Sequence, residues 1–340
     1  MSYNALVHPL TPTMKLSKLT SAGLLILALI LCVIPVAQTR ASDARFVHQG
    51  SGYSAGKTLS RPLGIFFDNI TNECYVADTG NHQVVVFDQN GLPIFRFYHH
   101  VTVNGEKQLG EPKNLVVDAD GQIYITDAMV PYLDILDRNG RKITSVEPPY
   151  EHCGEHARFD GVAIGPDNKV YATLSGDAER VVAVIGLDLE LEKVIRLRSE
   201  EEDLGPSCVT ALDVDTDGKF YITDPCADLM VQVYDTSGQF VSGFGRHDSG
   251  YENFSHPSGI SVMPTGEIWI VDSIRQVVSC FSPGGEFISY VGGKGSHPGA
   301  FNYPSGIDTD GKDRLFVVER AGNRYQCFRI VSDDVETAGK

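Results

Sequence analysis

From Arg61 to Ile330 the chain reads as short apolar runs separated by clusters of Asp, Asn, Gly and Pro. Runs such as Val84-Val85-Val86-Phe87 and Tyr124-Ile125-Thr126-Asp127 have strand chemistry, because branched and aromatic side chains fit a pleated surface. The Asp-x-x-Gly and Asn-Gly clusters between them are hairpin turns, with glycine supplying a positive φ. No helical apolar period is sustained anywhere in this span. The one long apolar stretch lies earlier, at Leu24–Val36, between Lys18 and Arg40.

The strand-rich span repeats. A typical copy enters through Pro and Gly, runs through a short apolar strand, turns at Asp-x-x-Gly, and closes an aromatic strand on an acid; the third copy is degenerate and closes on Leu174. The closing positions are Asp78, Asp127, Leu174, Asp224, Asp272 and Glu319, at intervals of 49, 47, 50, 48 and 47 residues. A period near 48 suits a blade of four strands. A lone four-stranded sheet cannot keep both faces dry, whereas radial stacking buries them and leaves only short edges. Six copies therefore predict an all-β, six-bladed β-propeller. The chain turns polar after Phe328-Arg329-Ile330, so the last blade lacks an outer strand, and Phe46-Val47-His48-Gln49 is expected to supply it. The expected domains are an N-terminal hydrophobic helix within 1–41, a propeller over 42–331 and a polar tail over 332–340.

These residues resemble the NHL-repeat family, and the expected architecture is NHL/TolB-like. Pro62-Leu63-Gly64, Tyr75-Val76-Ala77-Asp78-Thr79-Gly80-Asn81 and Phe87-Asp88 to Gly91 match the family's blade nearly throughout. Gly243-Phe244-Gly245 and Val291-Gly292-Gly293 are similar to its blade endings. The resemblance covers roughly residues 61–330 and implies the fold, but propellers host enzymes, scaffolds and receptors alike. In the amidoglycolate-lyase branch, zinc is held by histidines just after the entering Pro. The matching positions here are Leu63, Lys113, Asp160, Val209, Ser258 and Ser305, and none is histidine.

A basic start, an apolar core and small residues at Thr39 and Ala41 describe a secretory signal cleaved before Ser42. The same stretch is long enough to be kept as a membrane anchor. Either way the body is exported, periplasmic or extracellular, and touches the inner membrane only through an uncleaved anchor. The net charge of −16 repels phosphate backbones and anionic lipid, which argues against nucleic-acid binding.

Two functional readings stay open. The first is a non-catalytic, monomeric scaffold for a protein or peptide, without a cofactor, contacting its partner through the loops where the aromatic strands end. Its candidate contacts are Asn81, His82, Met129, Tyr132, Asp224, Arg275, Arg320 and Asn323. Met129 to Tyr132 form an apolar patch or pack on a neighbouring loop. Arg275, Arg320 and Arg324 form a basic spot or pair internally with Asp272 and Glu319. The second reading is a calcium- or zinc-dependent hydrolase or lyase at the central channel, with Asp78, Asp127, Asp224, Asp272 and Glu319 as oxygen ligands. The competing role for these acids is to bond turn N–H groups. His152-Cys153 to His156 has a metal-like spacing, against the plainer reading of a polar loop with a disulfide cysteine. A hairpin about Thr216-Asp217 sets Cys208 opposite Cys226, so a disulfide is expected there, or else from Cys153 to either. Cys74, Cys280 and Cys327 read as small core residues.

Overall fold

The computed structural model describes residues 42–54, 56–176, 179–198 and 208–332. The export segment over 1–41 and the tail beyond Ser332 lie outside them. Six four-stranded antiparallel sheets form the blades of a propeller. Blade 1 runs outward through Ile65–Asp68, Glu73–Asp78, Gln83–Phe87 and Pro93–Tyr98. The inner strands of blades 2 to 6 are Pro112–Val117, Arg158–Ile164, Ala211–Val214, Pro257–Val262 and Pro304–Thr309. Each inner strand packs against the inner strands of its two neighbours.

Burial follows from the stacking. Strands sandwiched between blades are apolar on both faces: Gln83–Phe87 and Val181–Ile185 are buried at every position. Outer strands lie at the rim, and Pro93–Tyr98 buries only Phe97. The turn chemistry repeats as well. The aspartate of Asp-x-x-Gly accepts the hydroxyl of the next strand's tyrosine in Tyr124–Asp118 and Tyr221–Asp215, each at 3.1 Å. That bond gives the aromatic ring a polar anchor at the edge of an apolar interface.

Blade 6 closes the ring with both ends of the propeller. Its strands are Pro304–Thr309, Arg314–Glu319, Arg324–Ser332 and, outermost, Ser42–Gly50. The last pairing runs from Ser42 opposite Ser332 to Gly50 opposite Tyr325, with an irregularity between Phe46 and His48. The strand expected from Phe46–Gln49 is thus present and longer than expected.

The glycine of Pro-x-Gly has a packing cause. A Cβ on Gly64 would lie 2.5 Å from the Lys113 carbonyl oxygen, and one on Gly306 would lie 2.6 Å from that of Leu63. Neighbouring inner strands touch backbone to backbone there.

Candidate functional site: the central cavity

The inner strands surround a cavity of about 420 Å³. Its lining includes the first-hairpin turns at Asn69-Ile70, Ala119, Asn168, Thr216, Met263-Pro264 and Gly311. It therefore opens on the face opposite the one where the aromatic strands end. Most of the wall is aliphatic, and its ionisable residues are Asp68, Asp213 and Asp308.

Asp213 and Asp308 occupy matching places on the inner strands of blades 4 and 6. An innermost strand is a sheet edge, so its inward amides lack a ladder partner. Each aspartate serves one such amide across a blade seam. Asp213 Oδ2 accepts from Val262 N–H at 2.7 Å, and Asp308 Oδ2 accepts from Phe67 N–H at 2.7 Å. The other oxygen of each accepts from the following residue, Val214 or Thr309, at 2.8 Å. Burial pushes the Asp213 carboxyl up to about 7, and the nearby Asp215 charge adds to it. Burial pushes Asp308 up to about 8, with Asp213 and Asp310 adding repulsion. Asp68 is committed elsewhere, to Ile70 N–H and the Thr71 hydroxyl.

Neither Asp213 nor Asp308 stands among the candidate residues that the sequence motifs mark. The signal was a lone aspartate inside an apolar strand, in Leu212-Asp213-Val214 and Ile307-Asp308-Thr309, where other copies carry Phe66, Val116 and Ala163.

Four of the acids that end the aromatic strands are the last residues of second strands, Asp224 directly follows one, and none of the five lines the cavity. They bond turns and the chain entering their own blade. Asp78 accepts from Ser60 N–H, Asp127 from Met129 N–H and Asp224 from Cys226 N–H. Asp272 takes Ser255, His256, Ile274 and Arg275 N–H, and Glu319 takes Asn302 N–H. Several also face a buried cation. Arg180 pairs with Asp224 at 2.7 Å, and Arg324 pairs with Glu319 at 2.5 Å. His99, fully buried, sits between Asp127 at 2.9 Å and Asp134 at 3.1 Å. Burial alone would lower the His99 pKa, but bonds to both carboxylates outweigh it and raise it.

The other proposed contacts are mostly engaged. Asn81 donates to Thr58 O and Asp78, His82 Nδ1 meets Gly110 O, and Asn323 accepts from Arg61 N–H. Val130 is buried, and the Tyr132 hydroxyl accepts from Thr102 N–H on the neighbouring hairpin. Met129 stays 40% exposed. Arg275 donates to the carbonyls of Gly250 and Asn253 rather than pairing with the Asp272 carboxylate. Arg320 is exposed, and Arg324 is buried on Glu319, so the three arginines form no shared basic spot.

Cys208 and Cys226 form a disulfide with Cα atoms 5.7 Å apart. Cys74, Cys153, Cys280 and Cys327 are buried and free, so the disulfide expected as the plainer role of Cys153 is absent; its Sγ bonds Pro149 O. His152 instead contacts Arg196. Among the described residues, the only group of three possible metal ligands is Cys208, Asp224 and Cys226, and its sulfurs are joined to each other. A disulfide fits an oxidising, exported compartment. No described helix is long and apolar enough to cross a membrane.

The fold and cavity define a six-bladed β-propeller. No family model matches the chain, and no curated protein matches it. Among solved structures, a Bacteroides thetaiotaomicron protein of unknown function superposes with a TM-score of 0.63 at 15% identity, covering 86% of this chain and 76% of its own. A Xanthomonas campestris gluconolactonase gives 0.59 at 12% identity, covering 88% and 94%. Virginiamycin B lyase from Staphylococcus aureus gives 0.56 at 12%, covering 85% and 100%. Identities this low establish the fold alone.

Proposed function

We propose that this chain is an exported, non-catalytic binding propeller of NHL type that engages a protein or peptide partner. One observation carries the reading. Among the described residues, the cavity wall has no histidine, cysteine, glutamate, lysine, arginine or tyrosine, and its aspartates are bonded to backbone amides. Aspartate is the one ionisable group in this wall that could act as nucleophile or general base, and each oxygen of Asp213 and Asp308 already holds a backbone amide of its own or the neighbouring blade. The acids that end the aromatic strands support the same reading, because their oxygens are committed to turn amides and buried cations.

The test uses purified protein with and without added calcium or zinc, on lactone, ester and amidoglycolate substrates. No turnover is expected, while affinity purification from the native envelope retains a partner. Stoichiometric metal accompanied by turnover would overturn the proposal in favour of a lactonase- or lyase-like activity.

A further inference from the structure

The cavity is divided chemically. At one inner-strand position, opposite the aromatic of the second strand, the six blades carry Phe66, Val116, Ala163, Asp213, Ser261 and Asp308. All six line the cavity. Blades 1 to 3 thus present an apolar half, and blades 4 to 6 present a half of hydrogen-bond acceptors. Each of the two aspartates is partly exposed. Each of their oxygens accepts one backbone N–H and keeps acceptor capacity in reserve. Ser261 sits between their blades and donates to Thr309 Oγ1, so its oxygen is an acceptor as well. Ser258 Oγ, also in the lining, has no hydrogen-bond partner. The described lining holds no basic residue to neutralise the aspartates, and a net charge of −16 draws cations toward the mouth.

We infer that the cavity seats a primary ammonium group on an apolar stem, the ammonium between Asp213 and Asp308 and the stem against Phe66, Val116 and Ala163. An ammonium is donor-only, which matches a half-wall of acceptors. Its stem removes apolar surface from water on the opposite half. A divalent cation suits the site less well, since it prefers a shell of oxygens on all sides and half of this ring is hydrocarbon. The source is either a free amine or the lysine side chain of a peptide partner. This inference rests on reading the cavity as a binding site rather than a catalytic one.

Three probes test it by titration calorimetry: n-hexylamine, the neutral n-hexanol, and lysine blocked at both ends as the Nα-acetyl N-methylamide. Hexylamine should bind one to one, and hexanol at least about tenfold more weakly, since a charged hydrogen bond roughly doubles a neutral one. Asp213→Asn and Asp308→Asn should each weaken hexylamine at least about tenfold while leaving the circular dichroism spectrum unchanged. Burial favours the protonated carboxyls, facing Asp215 and Asp310, so amine binding should release protons, read by comparing buffers of different ionisation enthalpy. Binding of blocked lysine as tightly as hexylamine assigns the site to a peptide lysine; weaker binding assigns it to a free amine. Equal affinity for hexanol, unchanged affinity in folded variants, or stoichiometric displacement of hexylamine by calcium overturns the inference. Partner retention and substrate turnover are measured separately, so a failure here leaves the proposed function standing, and the reverse holds too.

Discussion

Asp213 and Asp308 bind protons more tightly in the folded chain than in the unfolded one, since burial raises them to about 7 and about 8. For a carboxyl raised in this way, the folded state is favoured below the unfolded value near 4. That advantage is lost as pH climbs through the folded values. His99 acts in the same sense: its pKa is raised, so its contribution is whole below the unfolded value and fades as pH rises through the folded one. Asp134 and Asp310 act oppositely. Burial would raise both, but bonds from His99, Lys142 and Ser145 lower Asp134, and bonds from Arg314 lower Asp310. Their stabilisation is lost only as pH falls into the acid range. Maximal stability is therefore expected in mild acid, with the melting temperature dropping by roughly 5 °C or more between pH 5 and pH 9. Calorimetric scans of the Asp213→Asn/Asp308→Asn double variant should show a much shallower alkaline decline, the remainder belonging to His99. A decline identical to wild type would remove the two aspartates as its cause.

A single blade shows which interactions sequence patterning reveals. Gly64 and Gly306 belong to the Pro-x-Gly entry of their blades, and neither has a positive φ. Their constraint is the next blade's backbone. Gly64→Ala sets a Cβ 2.5 Å from the Lys113 carbonyl oxygen and 2.9 Å from Asn114 Cα, both main-chain atoms that cannot swing aside. Overpacking of this kind costs about 1–3 kcal/mol. Urea titration should show that loss for Gly64→Ala. Gly52→Ala, whose Cβ meets nothing closer than Lys57 O at 3.4 Å, should stay near wild type. Comparable midpoints for the two variants would show that the inner strands separate without cost. The strand order, the six-fold count and the Cys208–Cys226 pairing were legible because branched and aromatic runs and turn residues are local signals and the motif recurs at a nearly constant period. The role of Asp78 or Asp272 as a turn acceptor was legible for the same reason. The division of the cavity was not legible. It depends on Phe66, Val116, Ala163, Asp213, Ser261 and Asp308 meeting around an axis; they recur at the period of the repeat, but the position changes from apolar to polar around the ring, so no shared motif marks it.

Closure of the whole ring depends on one pairing that joins the two ends of the propeller. In blades 1 to 5, all four strands are consecutive, so each sheet forms from local hairpins. Blade 6 takes three strands from the C-terminal side and Ser42–Gly50 from the N-terminal side. That strand covers the edge of Arg324–Ser332 and brings Phe46 edge-on to Phe328, with ring centroids 6.2 Å apart. Next to it, Phe67 of blade 1 stacks on Phe316 of blade 6 at 4.4 Å, and Phe87 meets Tyr325 at 5.1 Å. These seam contacts bring blade 1 and blade 6 together only once the loop spanning the whole propeller has closed, and closing so long a loop has a large entropic cost. A chain beginning at Ser51 loses the covering strand and leaves Arg324–Ser332 as an open edge, a template for aggregation. It should melt roughly 10 °C or more below a chain beginning at Ser42, and light scattering should show association at concentrations where the longer chain is monodisperse. Adding a synthetic peptide of residues 42–50 should recover part of the melting temperature, because it restores the edge without restoring the covalent link. If the shorter chain melts at the same temperature and stays monodisperse, the seam between blades 6 and 1 holds without the closing strand, and the ring is stabilised by blade-to-blade packing alone.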